Sequence, residues 1–251
     1  MIFLELLFPE EYNARIVIPA VIAYGSIAGA VGVPLVLKKR ALFGDAIGHA
    51  SLPGVVLAFL FGFFFWGSGK EMALLLTGGA IAGFAGVFFL QQLHNKTKLK
   101  EDALIAILLS FSFGIGVVLL SFSQSLSGGD QAGLDHFIYG SIATIRLIEA
   151  KILIGCSLVL WLCFLATMKE IKITVFDFVY AEASGFNTKK INLYFLILSV
   201  LVVIVGLPTV GLVLGVALLI IPVASAQRWS NNYNKIVFIS SIFGATSAWV
   251  G

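Results

Sequence analysis

Residues 193–226 read LYFLILSVLVVIVGLPTVGLVLGVALLIIPVASA, a run without a single charged side chain. A helix needs about 20 apolar residues to cross the hydrocarbon layer of a bilayer, so this run exceeds the length of one crossing. Residues 103–122, ALIAILLSFSFGIGVVLLSF, form a second run of the same kind, and others recur along the chain. Hydrophobic residues make up 59% of the 251 and charged residues 12%, against roughly 45–50% and about 25% in ordinary soluble domains. A water-surrounded fold has no interior large enough to hide that much apolar surface. The expected class is therefore all-α, a polytopic transmembrane helix bundle forming one domain over residues 1–251, with no low-complexity tract and no fixed-period repeat.

Spans are expected at residues 15–37, 42–66, 73–92, 103–123, 147–168, 191–207, 209–227 and from 236 to the end, about eight in all. Net charge is only +3, so no basic field points to nucleic acid; the cations gather between apolar runs instead. If the N-terminus lies outside, Lys38, Lys39, Arg40, Lys96, Lys98, Lys100, Lys169, Lys172, Lys189, Lys190, Arg228 and Lys235 all face the cytoplasm. Only Arg15, Lys70, Arg146 and Lys151 then stay outside, which satisfies the positive-inside rule for a multi-pass membrane protein. The first residues carry Glu5 and no cation, unlike a cleavable signal peptide, and are expected to be retained.

The sixth and seventh segments meet at Gly206-Leu207-Pro208-Thr209, which reads either as a tight hairpin turn or as the kink of one long helix. Residues 124–146 form the longer external stretch, with turn chemistry at its start and a short helix near 137–145. Gly25 and Gly29, Gly79 and Gly83, and Gly211 and Gly215 are each spaced four apart, a pattern that lets helices approach closely. Cys156 and Cys163 share a helix face but stand about 10.5 Å apart in rise, too far to hold one ion, and read as small buried residues.

Chemistry enters at residues 44–54, GDAIGHASLPG, where the second span begins. Asp45 and His49 are four apart, so on a helix they share a face about 6 Å apart along the axis, which suits chelation of one cation. An oxygen and a nitrogen ligand without thiolate fit manganese, iron or zinc. An ionised Asp in a span costs about 2.5–3.5 kcal/mol on insertion scales, so such a residue normally has a partner or a task. The plainer alternative is that Asp45 and His49 bond each other or cap a half-helix near the interface. Pro53 removes the amide that would otherwise bond the His49 carbonyl, leaving an oxygen beside the pair that could serve as a ligand; a simple proline kink is the commoner explanation. Two side chains cannot complete the shell of either metal, so other helices, carbonyls or water must contribute.

Four blocks, LFGDAIGHASLPGVVLAFLFG, LKEDALIAILLSFSFGIGVVLLS, QAGLDHFIYGSIATI and GLVLGVALLIIPVASAQ, resemble in order and spacing the zinc and manganese class of ABC importer permeases, over nearly the whole chain. The resemblance implies a permease that dimerises with itself or a related permease, two cytoplasmic ATPase subunits beneath it, and an extracytoplasmic metal-binding protein above. It also implies that Asp45 and His49 meet the transported Mn2+ or Zn2+, with Fe2+ a further candidate, and that no cofactor is permanently bound. The external LDHFIYGSIATI block looks closer to manganese or iron members than to zinc members. Asp130, Asp135 and His136 in that loop are secondary candidates for handing the ion inward, although charged loop residues are commonly just solvated. His94, in a basic loop, receives no role.

Residues 175–186, VFDFVYAEASGF, lie in the cytoplasmic connection 169–190 and resemble the segment through which this family couples to its ATPase. Phe176, Phe178 and Tyr180 offer aromatic anchors, Glu182 a charge for pairing, and Gly185 a sharp exit turn. An amphipathic helix resting on the inner membrane surface is the alternative. The chain contains no Gly-x-x-x-x-Gly-Lys-Ser/Thr phosphate loop, so ATP hydrolysis is expected from a partner and not from this polypeptide. A secondary transporter in which Asp45 and His49 relay protons is the competing function. Family members run on past the point matching Gly251, so the last span is expected to be truncated.

Overall fold

The computed structural model describes residues 12–67, 71–126, 140, 142 and 145–250. Their helices are α1 (Tyr12–Leu37), α2 (Leu42–Trp66), α3 (Met72–Lys96), α4 (Glu101–Ser125), α5 (Leu147–Phe176), α6 (Phe178–Ala183), α7 (Thr188–Val210), α8 (Leu212–Ala226) and α9 (Tyr233–Val250). No strand occurs among the described residues. Six of these helices, α1 to α5 and α7, are long and apolar enough to cross a membrane, and α8 is a shorter apolar helix of 15 residues. The protein is a multi-pass membrane helix bundle. α9 has 18 residues, about 27 Å of rise.

The bundle is organised around α1, α2 and α7. In their most apolar windows 61%, 56% and 67% of residues are buried, against 28% in α4 and 22% in α5, which lie at the periphery. Peripheral faces carry Phe111, Val118, Leu158 and Leu162 outward, as a lipid-facing surface requires.

Glycine sets the closest approaches. A Cβ on Gly25 or Gly29 would run into the backbone of Gly244 or Ser240, so α1 and α9 pack backbone to backbone and antiparallel. The Ser240 hydroxyl donates to the Gly29 carbonyl at 2.7 Å across that seam. α2 and α3 make a similar antiparallel pair, with Gly54 against Gly78 and Ala50 against Gly86. α8 runs parallel to α1, placing Gly215 near Tyr24 and Leu219 on Gly32.

Two expectations change. The seam between the sixth and seventh segments is not the Gly206–Thr209 turn: those residues are helical, with Pro208 inside α7, and the chain breaks at Gly211 (φ 79°, ψ 172°). Gly211 and Gly215 therefore do not form one helical stripe. The break lies inside the bundle, where Val210 is 6% exposed and Leu212 packs on Gly48; irregular backbone among spanning helices is tolerated where protein surrounds it. The second change concerns α5, expected to end near 168, which continues as helix through Lys169 and Lys172 to Phe176. Its 30 residues span about 45 Å, longer than the hydrocarbon layer, so its last turns project beyond it.

Candidate metal site and coupling surface

Asp45 lies in the first turn of α2 and His49 one turn later, and both side chains are accessible on the same face of a mostly buried helix. His49 Nε2 stands 3.5 Å from Asp45 Oδ1, with the imidazole 19% and the carboxylate 39% exposed. N–H···O hydrogen bonds cluster at about 2.9–3.0 Å, so this contact is long for a direct bond. The N-cap of α2 is Ala41, and Asp45 is the acidic residue of the first turn behind it. The ring of Phe113 in α4 meets the imidazole edge to face at 5.1 Å, fixing its plane from the side. His49 Nδ1 is buried and has no hydrogen-bond partner among the described residues.

α2 continues as helix through Pro53, so the proline withdraws a backbone donor from the His49 carbonyl without ending the helix. Among the described residues no group of three or more His, Cys, Asp or Glu side chains converges as a metal cage. Asp45 and His49 thus form an open pair. Asp130, Asp135 and His136, and most of the short helix expected near 137–145, lie outside the described residues.

Residues 175–186, expected to meet an ATPase, hold the end of α5, the short helix α6 and a turn. Asp177 caps α6, its Oδ1 accepting from the Tyr180 amide at 2.8 Å, and Gly185 makes the exit turn at φ 84°. Phe176, Phe178, Val179 and Tyr180 are all exposed, while Ala181 is buried against the bundle. Phe176 also meets the Tyr233 ring at 6.1 Å, linking this cap to the start of α9. Glu182 faces outward. Cys156 and Cys163 are free thiols.

The sequence reading passed over a polar cluster at the basic end of the bundle. Arg40 Nε pairs with Glu101 Oε1 at 2.7 Å, while Lys38 Nζ and an Arg40 guanidinium nitrogen both donate to Asn192 Oδ1, at 3.1 and 3.2 Å. These contacts draw the α1–α2 loop, the start of α4 and the start of α7 together, as expected if their basic loops share one side of the membrane. Burial pulls the Lys38 ammonium down to about 8, Arg40 adds to the shift and Glu101 opposes it. Opposite charges at the starts of α2 and α4 were the only hint of the Arg40–Glu101 pair, and nothing in sequence selected Phe113 or Asn192.

The ABC 3 transport family model matches residues 11–251. The manganese transport system membrane protein MntC of Bacillus subtilis is 35% identical over 242 residues, 96% of this chain and 54% of that protein, so the chain spans about half the length of this relative. The zinc transport system membrane protein TroC of Treponema pallidum is 32% identical over 96% of this chain and 80% of its own length. Among solved structures, PsaBC from Streptococcus pneumoniae in complex with Fab superposes with a TM-score of 0.81 at 28% identity, covering 98% of this chain and 84% of that one. Matched along all but its first ten residues, the chain belongs to the ABC 3 transport family.

Proposed function

We propose that this chain is the membrane permease subunit of a bacterial inner-membrane ABC importer for divalent metal ions, manganese or zinc, and that Asp45 and His49 bind the ion in transit. Family membership and relatives named for manganese and zinc transport support the substrate class. The observation that carries the site is the 3.5 Å gap between one carboxylate oxygen and one imidazole nitrogen on adjacent turns of a spanning helix. With metal–ligand bonds of about 2.1 Å, a single cation touching both would subtend an angle of about 110°. That is close to tetrahedral, and a few tenths of an ångström of side-chain adjustment reaches an octahedral edge. An incomplete pair also suits transport, since the ion must leave as readily as it enters.

The remaining ligands come from a second permease copy, from residues near the external loop, or from water. Power comes from a cytoplasmic ATPase subunit docked on Phe176, Phe178, Tyr180, Glu182 and Gly185, and the ion from an extracytoplasmic metal-binding protein. The exposed aromatic cap of α6 supports this docking, because aromatic side chains are enriched at interfaces. The test is uptake of manganese and zinc by cells carrying Asp45→Ala or His49→Ala. Both variants are expected to insert and assemble normally while losing uptake; full accumulation by both would remove the site.

A further inference from the structure

At the basic end of the bundle, α3, α4 and α7 enclose a cavity of about 290 Å³ that the transport reading leaves unused. Its rim is polar, formed by Arg40, His94, Glu101, Lys189 and Asn192, and its floor is apolar, formed by Leu90 and Leu196, which are 3% and 2% exposed. The rim charge is unbalanced. Arg40 is matched by Glu101, but Lys189 lines the same cavity without an opposite charge on its wall. Behind the rim, Lys38 and Arg40 donate to one neutral acceptor, the Asn192 amide oxygen, so two cations converge where one carboxylate is present.

We propose that this cavity is a binding site for a phosphate-bearing anion, with Arg40, Lys189 and Asn192 holding the phosphate and Lys38 supplying charge from behind. The chemistry is common to the headgroup of an anionic phospholipid and to a free phosphate. Basic pockets between spanning helices on the cytoplasmic side of a membrane attract acidic headgroups, and Leu90 and Leu196 offer an apolar seat below the rim for the first carbons of a lipid. A phosphate oxygen would accept from the Lys189 ammonium and the Asn192 amide nitrogen, neutralising the excess positive charge.

The test uses the full chain in nanodiscs, read by native mass spectrometry after release. One arm offers phosphatidylglycerol against phosphatidylcholine, the other inorganic phosphate in phosphatidylcholine discs. Selective retention of phosphatidylglycerol, or of phosphate, upholds the site and names its source. Lys189→Gln is exposed and carries little risk to folding, and it should weaken retention about fivefold, the factor equivalent to one basic residue at a membrane surface. Lys38→Gln, which keeps an amide able to donate to Asn192, should do the same, and the double variant should lose roughly the product of the two. Equal retention of phosphatidylglycerol and phosphatidylcholine without phosphate binding would overturn the proposal, as would retention unchanged in the double variant. Neither result bears on uptake through Asp45 and His49.

Discussion

Gly206→Ala is the most informative single change at the core. A Cβ built on Gly206 falls within contact of Tyr24 Oη and Cζ and 2.7 Å from its Cε2. The ring is 0% exposed and sits between α7 and α8, with Gly215 on its other side, so it has no free direction in which to swing. Overpacking of this kind costs about 1–3 kcal/mol, and a rigid aromatic places the variant toward the upper end of that range. Tyr24→Leu alone removes a large buried ring and is itself expected to destabilise by about 2–4 kcal/mol, the scale of aromatic truncation in a core. Together the two changes should be less harmful than their sum by at least about 1 kcal/mol, because the new methyl enters space the ring has left. Thermal or denaturant unfolding of the purified protein in detergent, run as a double-mutant cycle, measures this coupling. Strict additivity would refute the packing argument, since it would mean that the ring and the Gly206 backbone do not compete for one volume.

The Tyr24 hydroxyl is buried without a hydrogen-bond partner among the described residues, so Tyr24→Phe should raise stability, by up to the roughly 1–3 kcal/mol that an unsatisfied buried polar group costs. A lowered melting temperature would show that the hydroxyl is satisfied. Ser240→Ala removes the bond to the Gly29 carbonyl and should cost about 0.6 kcal/mol and not more than about 1.7, the range for interhelical hydrogen bonds in membranes, by the same unfolding assay. Lys38 has a folded-state value near 8, below its usual 10.5, so the unfolded chain binds more protons between those limits and stability should rise as pH climbs from 8 to 10.5. Lys38→Met should flatten that rise in unfolding scans; an unchanged slope assigns it to another group. Phe178→Ala with Tyr180→Ala strips the exposed α6 cap, and should abolish copurification of the ATPase subunit while leaving membrane insertion intact.

Much of this architecture is legible because lipid imposes a coarse rule: long uncharged runs must be helices. The bounds of α2 match residue for residue, since Arg40 and Gly67 punctuate both ends of an apolar segment. Where the rule is silent, the reading drifts. Pro208 and Gly206 advertise a turn more loudly than Gly211, yet burial of Val203, Leu207 and Val210 holds the helix through them, and only Gly211 adopts a backbone angle that helix cannot use. α5 overran its expected end because Lys169 and Lys172 mark the exit from lipid, while Lys169, Glu170 and Lys172 are good helix formers and Ile171 and Thr174 are buried against the bundle. Asp45 and His49 share a face by spacing alone, so their proximity could be read directly. Phe113 belongs to another helix, and its contact with His49 depends on packing that no local pattern records.

At Gly140 the backbone has φ 76°, and the site its missing side chain would occupy is taken by Val210 and Gly211, where φ is 79°. Two left-handed glycines from distant parts of the chain thus lie back to back without any side chain between them. Backbone contact this close leaves no space for even one methyl group between Gly140 and the break that separates α7 from α8, so Gly140→Ala must push one backbone away from the other.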